Sequence, residues 1–178
     1  MSRKACLFFV GLVLVVHGLA VVSVAQSPDR VELFAGYSYV DNDFSLSSQG
    51  GMQGWNAAGT LEVAHHVGVT ADFAGYYPNA NVYTYLFGPQ VSFEMNRVRP
   101  FAHVLFGRAS VNHNGYLTSQ SSFSSAAGGG VDFGLTRRFA VRGQVDWLHT
   151  QFGTFDGQGG SVFHPNVVRI SPGLVVRF

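Results

Sequence analysis

The chain has 178 residues, of which 47% are hydrophobic, 14% aromatic and only 12% charged. A soluble domain carries about 25% charge, and a disordered one is charge-rich and poor in aromatics, so neither description fits. A formal charge of +1 without a basic stretch argues against nucleic-acid binding, and 22 scattered glycines suit neither collagen nor a flexible linker.

Residues 1–25 read as a secretory signal peptide. Arg3 and Lys4 precede an apolar run from Ala5 to Val22, and Ser23-Val24-Ala25 supplies small residues before a cut. Cleavage between Ala25 and Gln26 removes the only lysine, Lys4, and the only cysteine, Cys6. The remaining chain holds nine arginines against ten acidic residues, a formal charge of −1. Without cysteine it has no disulfide, thiol chemistry or cysteine-bound metal. Residues 26–178 suit a single domain.

That domain alternates with period two along its length, the periodicity of β-strands. Val31, Leu33, Ala35, Tyr37 and Tyr39 interleave with Glu32, Phe34, Gly36 and Ser38. Trp55 to Val63 and Val69 to Gly75 repeat the pattern, with Glu62 and Asp72 on the second face. Tyr83, Tyr85, Phe87, Val91 and Phe93 follow, with Glu94 on the second face. The segment around Phe101–Val111 alternates poorly. Val131-Phe133-Leu135 carries Asp132 between its apolar residues; Phe139 to Trp147 carries Arg142, Gln144 and Asp146. The last segment, Val168 to Phe178, carries Arg169, Ser171 and Arg177. Eight strands result, each near the 9–11 residues that cross a bilayer at a tilt.

One face is large, apolar and aromatic; the other is small or polar with isolated charges. An eight-stranded barrel has an interior only wide enough for side chains to fill. Small and polar residues fit there, and the apolar face must look outward, which lipid tolerates. Closure is required, because an open strand edge in hydrocarbon leaves backbone groups unpaired. The expected fold is an all-β, closed, antiparallel, up-and-down transmembrane barrel of eight strands. The links at Ala64-His65-His66, Met95–Arg99 and Thr136-Arg137-Arg138 are short, while Asp41–Gln53, Tyr77–Asn81, Asn112–Ser121 and Gln151–Pro165 are generally longer and more polar. Short periplasmic turns and long external loops are the outer-membrane pattern.

The C-terminal stretch Ser171-Pro172-Gly173-Leu174-Val175-Val176-Arg177-Phe178 resembles the terminal assembly signal of bacterial outer-membrane proteins. Ser171, Gly173, Val176 and Phe178 stand at its polar, glycine, apolar and aromatic positions. Val31–Val40, Ala126–Leu135 and Val141–Thr150 are similar to strands of small OmpA-like and OmpX-like barrels. The resemblance implies a bacterial outer-membrane location, outer-membrane lipids as surroundings and the barrel-assembly machinery as a partner of the last strand. Since the chain stops at Phe178, the periplasmic domain of OmpA is expected to be absent.

Pro89 and Pro172 fall inside strands, where each removes a ladder donor; β-bulges are the expected remedy. Arg108 is expected in the lumen, which turns His103 toward lipid unless a bulge changes the phase. The inward charges are then Glu32, Glu62, Asp72, Glu94, Asp132 and Asp146 with Arg108, Arg142, Arg169 and Arg177. A turn centred on Arg137 sets Asp132 opposite Arg142. Such a mixture reads as a salt-bridged plug, each arginine offering a planar fork to carboxylates. A proton relay or gated pore is the alternative, because ionisable groups at membrane depth are often functional.

Acyl transfer needs Ser, His and an acid within hydrogen-bond reach. His113 near Ser119, Ser121 and Ser122, and His149 near Asp146, do not supply the spacing of a lipid A deacylase. His65-His66 are adjacent in a turn and lack the spacing of a helical metal pair. No catalytic, metal or cofactor residue is assigned, and the aromatics read as two interfacial girdles. The expectation is a non-enzymatic barrel with a structural or surface-interaction role. A narrow porin-like channel or small-solute transporter is the alternative, and a lipid-A-modifying enzyme a third.

Overall fold

A computed structural model describes residues 31–41, 51–77, 81–112, 120–151 and 166–178. The leader and its cleavage residues Ala25 and Gln26, with His113, lie outside these. The described residues form eight strands: β1 (Val31–Asp41), β2 (Met52–Ala64), β3 (Val67–Tyr77), β4 (Asn81–Ser92), β5 (Val98–Asn112), β6 (Gln120–Gly134), β7 (Phe139–Thr150) and β8 (Asn166–Arg177). Each pairs antiparallel with its neighbours in sequence, and β1 pairs with β8, so the barrel closes. Closure leaves no strand edge unpaired, the condition for a sheet to sit in hydrocarbon.

Period-two alternation sorts the side chains into the barrel and out of it. Phe87 is 65% exposed and Leu174 57%, although both are apolar and both lie within strands. Leu33, Phe73, Phe106, Phe133 and Val145 share that outward face. A contiguous apolar surface of this extent is unstable in water and requires lipid around it. The inward residues of the same strands, including Glu32, Asp72, Asp132, Arg142 and Arg169, are buried.

Three tight turns gather at the end that holds both described termini. His65-His66 joins β2 to β3, with His66 at φ 70° and its Nδ1 3.0 Å from the Ser92 carbonyl. Between β4 and β5, Met95 bridges Val98, and Asn96 takes φ 56°. His and Asn are among the residues that tolerate this left-handed region best. Between β6 and β7, the Leu135 and Thr136 amides both donate to the Phe139 carbonyl, and the Thr136 hydroxyl accepts from the Phe139 amide at 3.0 Å.

The prolines are accommodated without the expected bulges. Pro89 stays in register with Val69 on β3, and the β4–β5 register is the same at Phe87↔Phe106 as at Gln90↔His103, with two rungs dropped between. Pro172 stays opposite Gly143, while the β1–β8 ladder drops two rungs between Gly36↔Gly173 and Tyr39↔Ile170. A strand amide points toward one neighbour only, so a missing donor interrupts one ladder and leaves the other whole. Both rings face outward.

The phase of β5 is opposite to the expected one. Arg108 is exposed on the outer face, whereas Arg99, Phe101, His103 and Leu105 are buried inside. β5 begins at Val98, so Arg99, expected in a turn, is a lumen residue. Glu94, expected inside, lies beyond the end of β4 and is exposed at the rim.

Candidate functional site: the lumen

The inward face is not uniformly small and polar. At the end remote from the termini, Val40, Met52, Tyr76, Val82, Leu105, Leu148 and Val167 form an apolar cluster, almost all of it inaccessible to solvent. A second, smaller cluster of Phe34, Ala58, Ala140 and Val175 lies toward the terminal end. The charges lie between and around these layers in two groups.

The first group occupies the terminal half, and its ion pairs link six strands. Arg142 on β7 grips Asp132 on β6 through two bonds, Nε to Oδ1 at 2.6 Å and Nη2 to Oδ2 at 2.9 Å. Arg177 on β8 donates from Nε to Glu32 Oε1 and from Nη2 to Asp132 Oδ2, each at 2.7 Å. Arg99 on β5 crosses the lumen to Glu32 on β1 and also reaches Glu62 and the Ser92 hydroxyl. Three arginines thus balance three carboxylates. Burying such ions is costly, and the interior offsets it only with good geometry and further hydrogen bonds; two-bond arginine forks supply both. The Arg142 guanidinium also lies 4.2 Å from the Phe101 ring centre, a distance at which the ring's negative face attracts a cation.

The second group lies deeper. Arg169 on β8 spans to Asp72 on β3, Nη1 to Oδ1 at 2.8 Å, and holds Asp146 on β7 through Nε at 2.7 Å. Asn56 donates to Asp72 at 2.8 Å, and Gln144 donates to Asp146 at 2.8 Å. The other oxygen of Asp146 accepts from His103 Nε2 at 2.7 Å. An ionised carboxylate can only accept, so Nε2 carries the hydrogen of this bond. A hydroxyl relay runs alongside, Thr60 to Thr70 at 2.9 Å and Thr70 to Gln90 at 3.1 Å.

Of the lumen charges read from the sequence, eight meet in these two groups: Glu32, Glu62, Asp132, Arg142 and Arg177 in the first, Asp72, Asp146 and Arg169 in the second. Arg108 lies on the outer face and Glu94 is exposed at the rim. Arg99, expected in a turn, and His103, expected toward lipid, belong to these groups, with Asn56 and Gln90 beside them. Arg99 and His103 share odd parity with Phe101, and taking β5 to start at Val98 would have placed both inside. The terminal-signature residues are disposed as β8 dictates: Ser171 is buried against Ser38 at 3.1 Å, Gly173 faces Arg142 and Gly36, and Val176 faces Phe139 and Leu33. Phe178 is 72% exposed, and its amide donates to the Val31 carbonyl at 3.0 Å.

The chemistry open to the lumen is narrow. His103 and Asp146 form the acid–imidazole half of a hydrolytic triad, but His103 Nδ1 is buried with no hydrogen-bond partner among the described residues. A triad needs a nucleophile's hydroxyl at that nitrogen. His149 bonds to Asn166 Oδ1 at 2.8 Å instead of to an acid.

Neither known family models nor curated protein sequences match the chain. Solved structures do. Neisserial surface protein A is 16% identical with a TM-score of 0.58, over 85% of this chain and 98% of that one. The N-terminal β-barrel domain of Pseudomonas aeruginosa OprF is 11% identical with a TM-score of 0.62, over 86% and 100%. The outer membrane protein OprG of the same organism is 11% identical with a TM-score of 0.57, over 86% and 97%. At such identities the likeness is one of fold. The closed sheet, lipid-facing apolar exterior and ion-paired interior define a small eight-stranded transmembrane β-barrel.

Proposed function

We propose that this barrel resides in a bacterial outer membrane and serves a structural or surface-interaction role without enzymatic activity. The observation that carries this reading is the filled lumen. Ion pairs cross-link β1, β2, β5, β6, β7 and β8 at one level, Asp72–Arg169–Asp146 joins β3, β7 and β8 at the next, and an apolar layer from Val40 to Leu148 closes the remote end. An ion entering that layer would meet mainly apolar side chains, and the few hydroxyls there, of Tyr76, Thr84, Ser124 and Thr150, would not replace a hydration shell. The paired arginines are committed to carboxylates, and His103 faces no nucleophile among the described residues. Interaction with the outside then falls to the segments between strands and to the outer face. That reading agrees with the likeness to a protein named for its surface location.

A planar-bilayer recording tests it: the folded protein should show no discrete conductance steps, and reproducible steps would favour the channel reading. Mass spectrometry of lipid A from expressing cells should show no change in acylation.

We further propose that β8, ending Gly173-Leu174-Val175-Val176-Arg177-Phe178, is the segment presented to the barrel-assembly machinery. Its outward apolar face and exposed terminal ring support this.

A further inference from the structure

At the terminal end, where the β4–β5 turn stands beside the β6–β7 turn, the rim opens into a cavity of about 390 Å³. That volume lies within the range of small-molecule sites. Its walls carry four guanidinium groups, from Arg97, Arg99, Arg137 and Arg177, against one carboxylate, Glu94. Arg99 and Arg177 are engaged with Glu32, Glu62 and Asp132 in the lumen, whose three carboxylates Arg142 also shares. Arg97 and Arg137 are different. Both are exposed, and among the described residues neither side chain forms an ion pair or hydrogen bond. Beside the first lumen group, whose three arginines balance three carboxylates, Arg97 and Arg137 add positive charge to this part of the rim that Glu94 only partly offsets.

The remaining wall mixes polar Asn96 and Thr136 with Gly134 and an apolar side. Val98 and Leu135 line the same cavity, and Leu135 is 58% exposed on the lipid-facing surface, beside outward Phe133 and Phe139. One site thus offers guanidinium forks to an anion and, a side chain away, a surface for hydrocarbon. Guanidinium matches phosphate oxygens in a planar, two-bond geometry. A free phosphate would use only half of this surface.

We propose that the cavity is a binding site for an anionic glycerophospholipid of the leaflet at the terminal end. Its phosphate sits between Arg97 and Arg137, and its acyl chains lie along Val98 and Leu135. This rests on the membrane-barrel reading above.

Native mass spectrometry of the full folded protein in detergent tests it, with phosphatidylglycerol or phosphatidylcholine added at equal concentration. Phosphatidylglycerol should be retained preferentially, and Arg97→Gln with Arg137→Gln should remove that preference, by about fivefold for each arginine lost. Arg108→Gln, on the outer wall far from the rim, should leave it intact. Inorganic phosphate at millimolar concentration should not displace the lipid; displacement would mean a free-anion site and overturn the assignment. Equal retention of the two lipids, or a preference surviving in the double variant, would overturn it as well. Heat-modifiable gel mobility reports the fold of each variant, and Arg137→Gln alone serves if the double variant does not fold. A protein showing no such mobility would refute the membrane-barrel reading itself, whereas a folded barrel without lipid preference would refute this site alone.

Discussion

Asp132 and Arg142 stand directly opposite one another on β6 and β7, and their side chains close on the lumen through two bonds of 2.6 and 2.9 Å. The same register sets Phe133 against Val141 on the lipid side. A two-residue slip would separate the ion pair and return Arg142 to face Gly134. The pair therefore ties hairpin register to lumen charge.

Asp132→Ala leaves Arg142 buried and deprives Arg177 of a partner. The loss should be about 3–5 kcal/mol, the usual penalty for orphaning a buried charge. Adding Arg142→Ala should recover part of it, with a coupling of roughly 0.5–3 kcal/mol. Urea unfolding in lipid vesicles measures the cycle; strictly additive losses would contradict the pairing.

Two arginines of β5 should respond in opposite ways. Arg99→Leu removes the cation that reaches Glu32 and Glu62 across the lumen, and a destabilisation of about 3–5 kcal/mol is expected. Arg108→Leu replaces an outward charge with an apolar side chain. A charge on the lipid face costs about 0–1 kcal/mol near the interface and 2–4 kcal/mol at the midplane, so this variant should unfold at equal or higher urea. A destabilised Arg108→Leu would reverse the phase of β5.

Glycines of the β6–β7 hairpin divide by what surrounds them. A Cβ on Gly128 would meet Asp146 Oδ1 at 2.2 Å and the Val145 carbonyl at 2.4 Å, whereas one on Gly143 would meet nothing within 4 Å. Gly128→Ala should cost about 1–3 kcal/mol through overpacking and disturb the carboxylate that holds His103 and Arg169. Gly143→Ala should stay within about 0.5 kcal/mol of the parent. The same unfolding assay compares them.

If β8 is the segment presented for assembly, deleting Phe178 separates assembly from stability. Its ring is largely exposed, and transfer of one such side chain into lipid contributes at most about 1.5–3 kcal/mol. The truncated chain should refold in detergent yet accumulate poorly in the membrane fraction of cells. Equal accumulation would contradict the assembly role.

Alternation alone reveals which residues of β1, β2, β3, β7 and β8 face lipid, because a strand's side-chain period is two, with a register shift only at the Glu62–Ala64 end of β2. The short turn at Arg137 carries enough information to set Asp132 opposite Arg142, since a tight hairpin leaves little freedom of register. In β5 the pattern is ambiguous: Arg99, His103 and Arg108 do not share a parity, and a single polar residue cannot decide between faces. Pairing with β4 and β6 decides it, as Gln90 opposite His103 and Asp132 opposite Arg99 carry those strands' phase into β5. The lumen partners are likewise a property of closure. Arg99 meets Glu32, and Arg169 meets Asp72, only because strands distant in sequence are brought face to face across a narrow interior. Periodicity is local and can be read along the chain; contact across a closed barrel depends on strand number, register and tilt together, and only the tertiary structure supplies these.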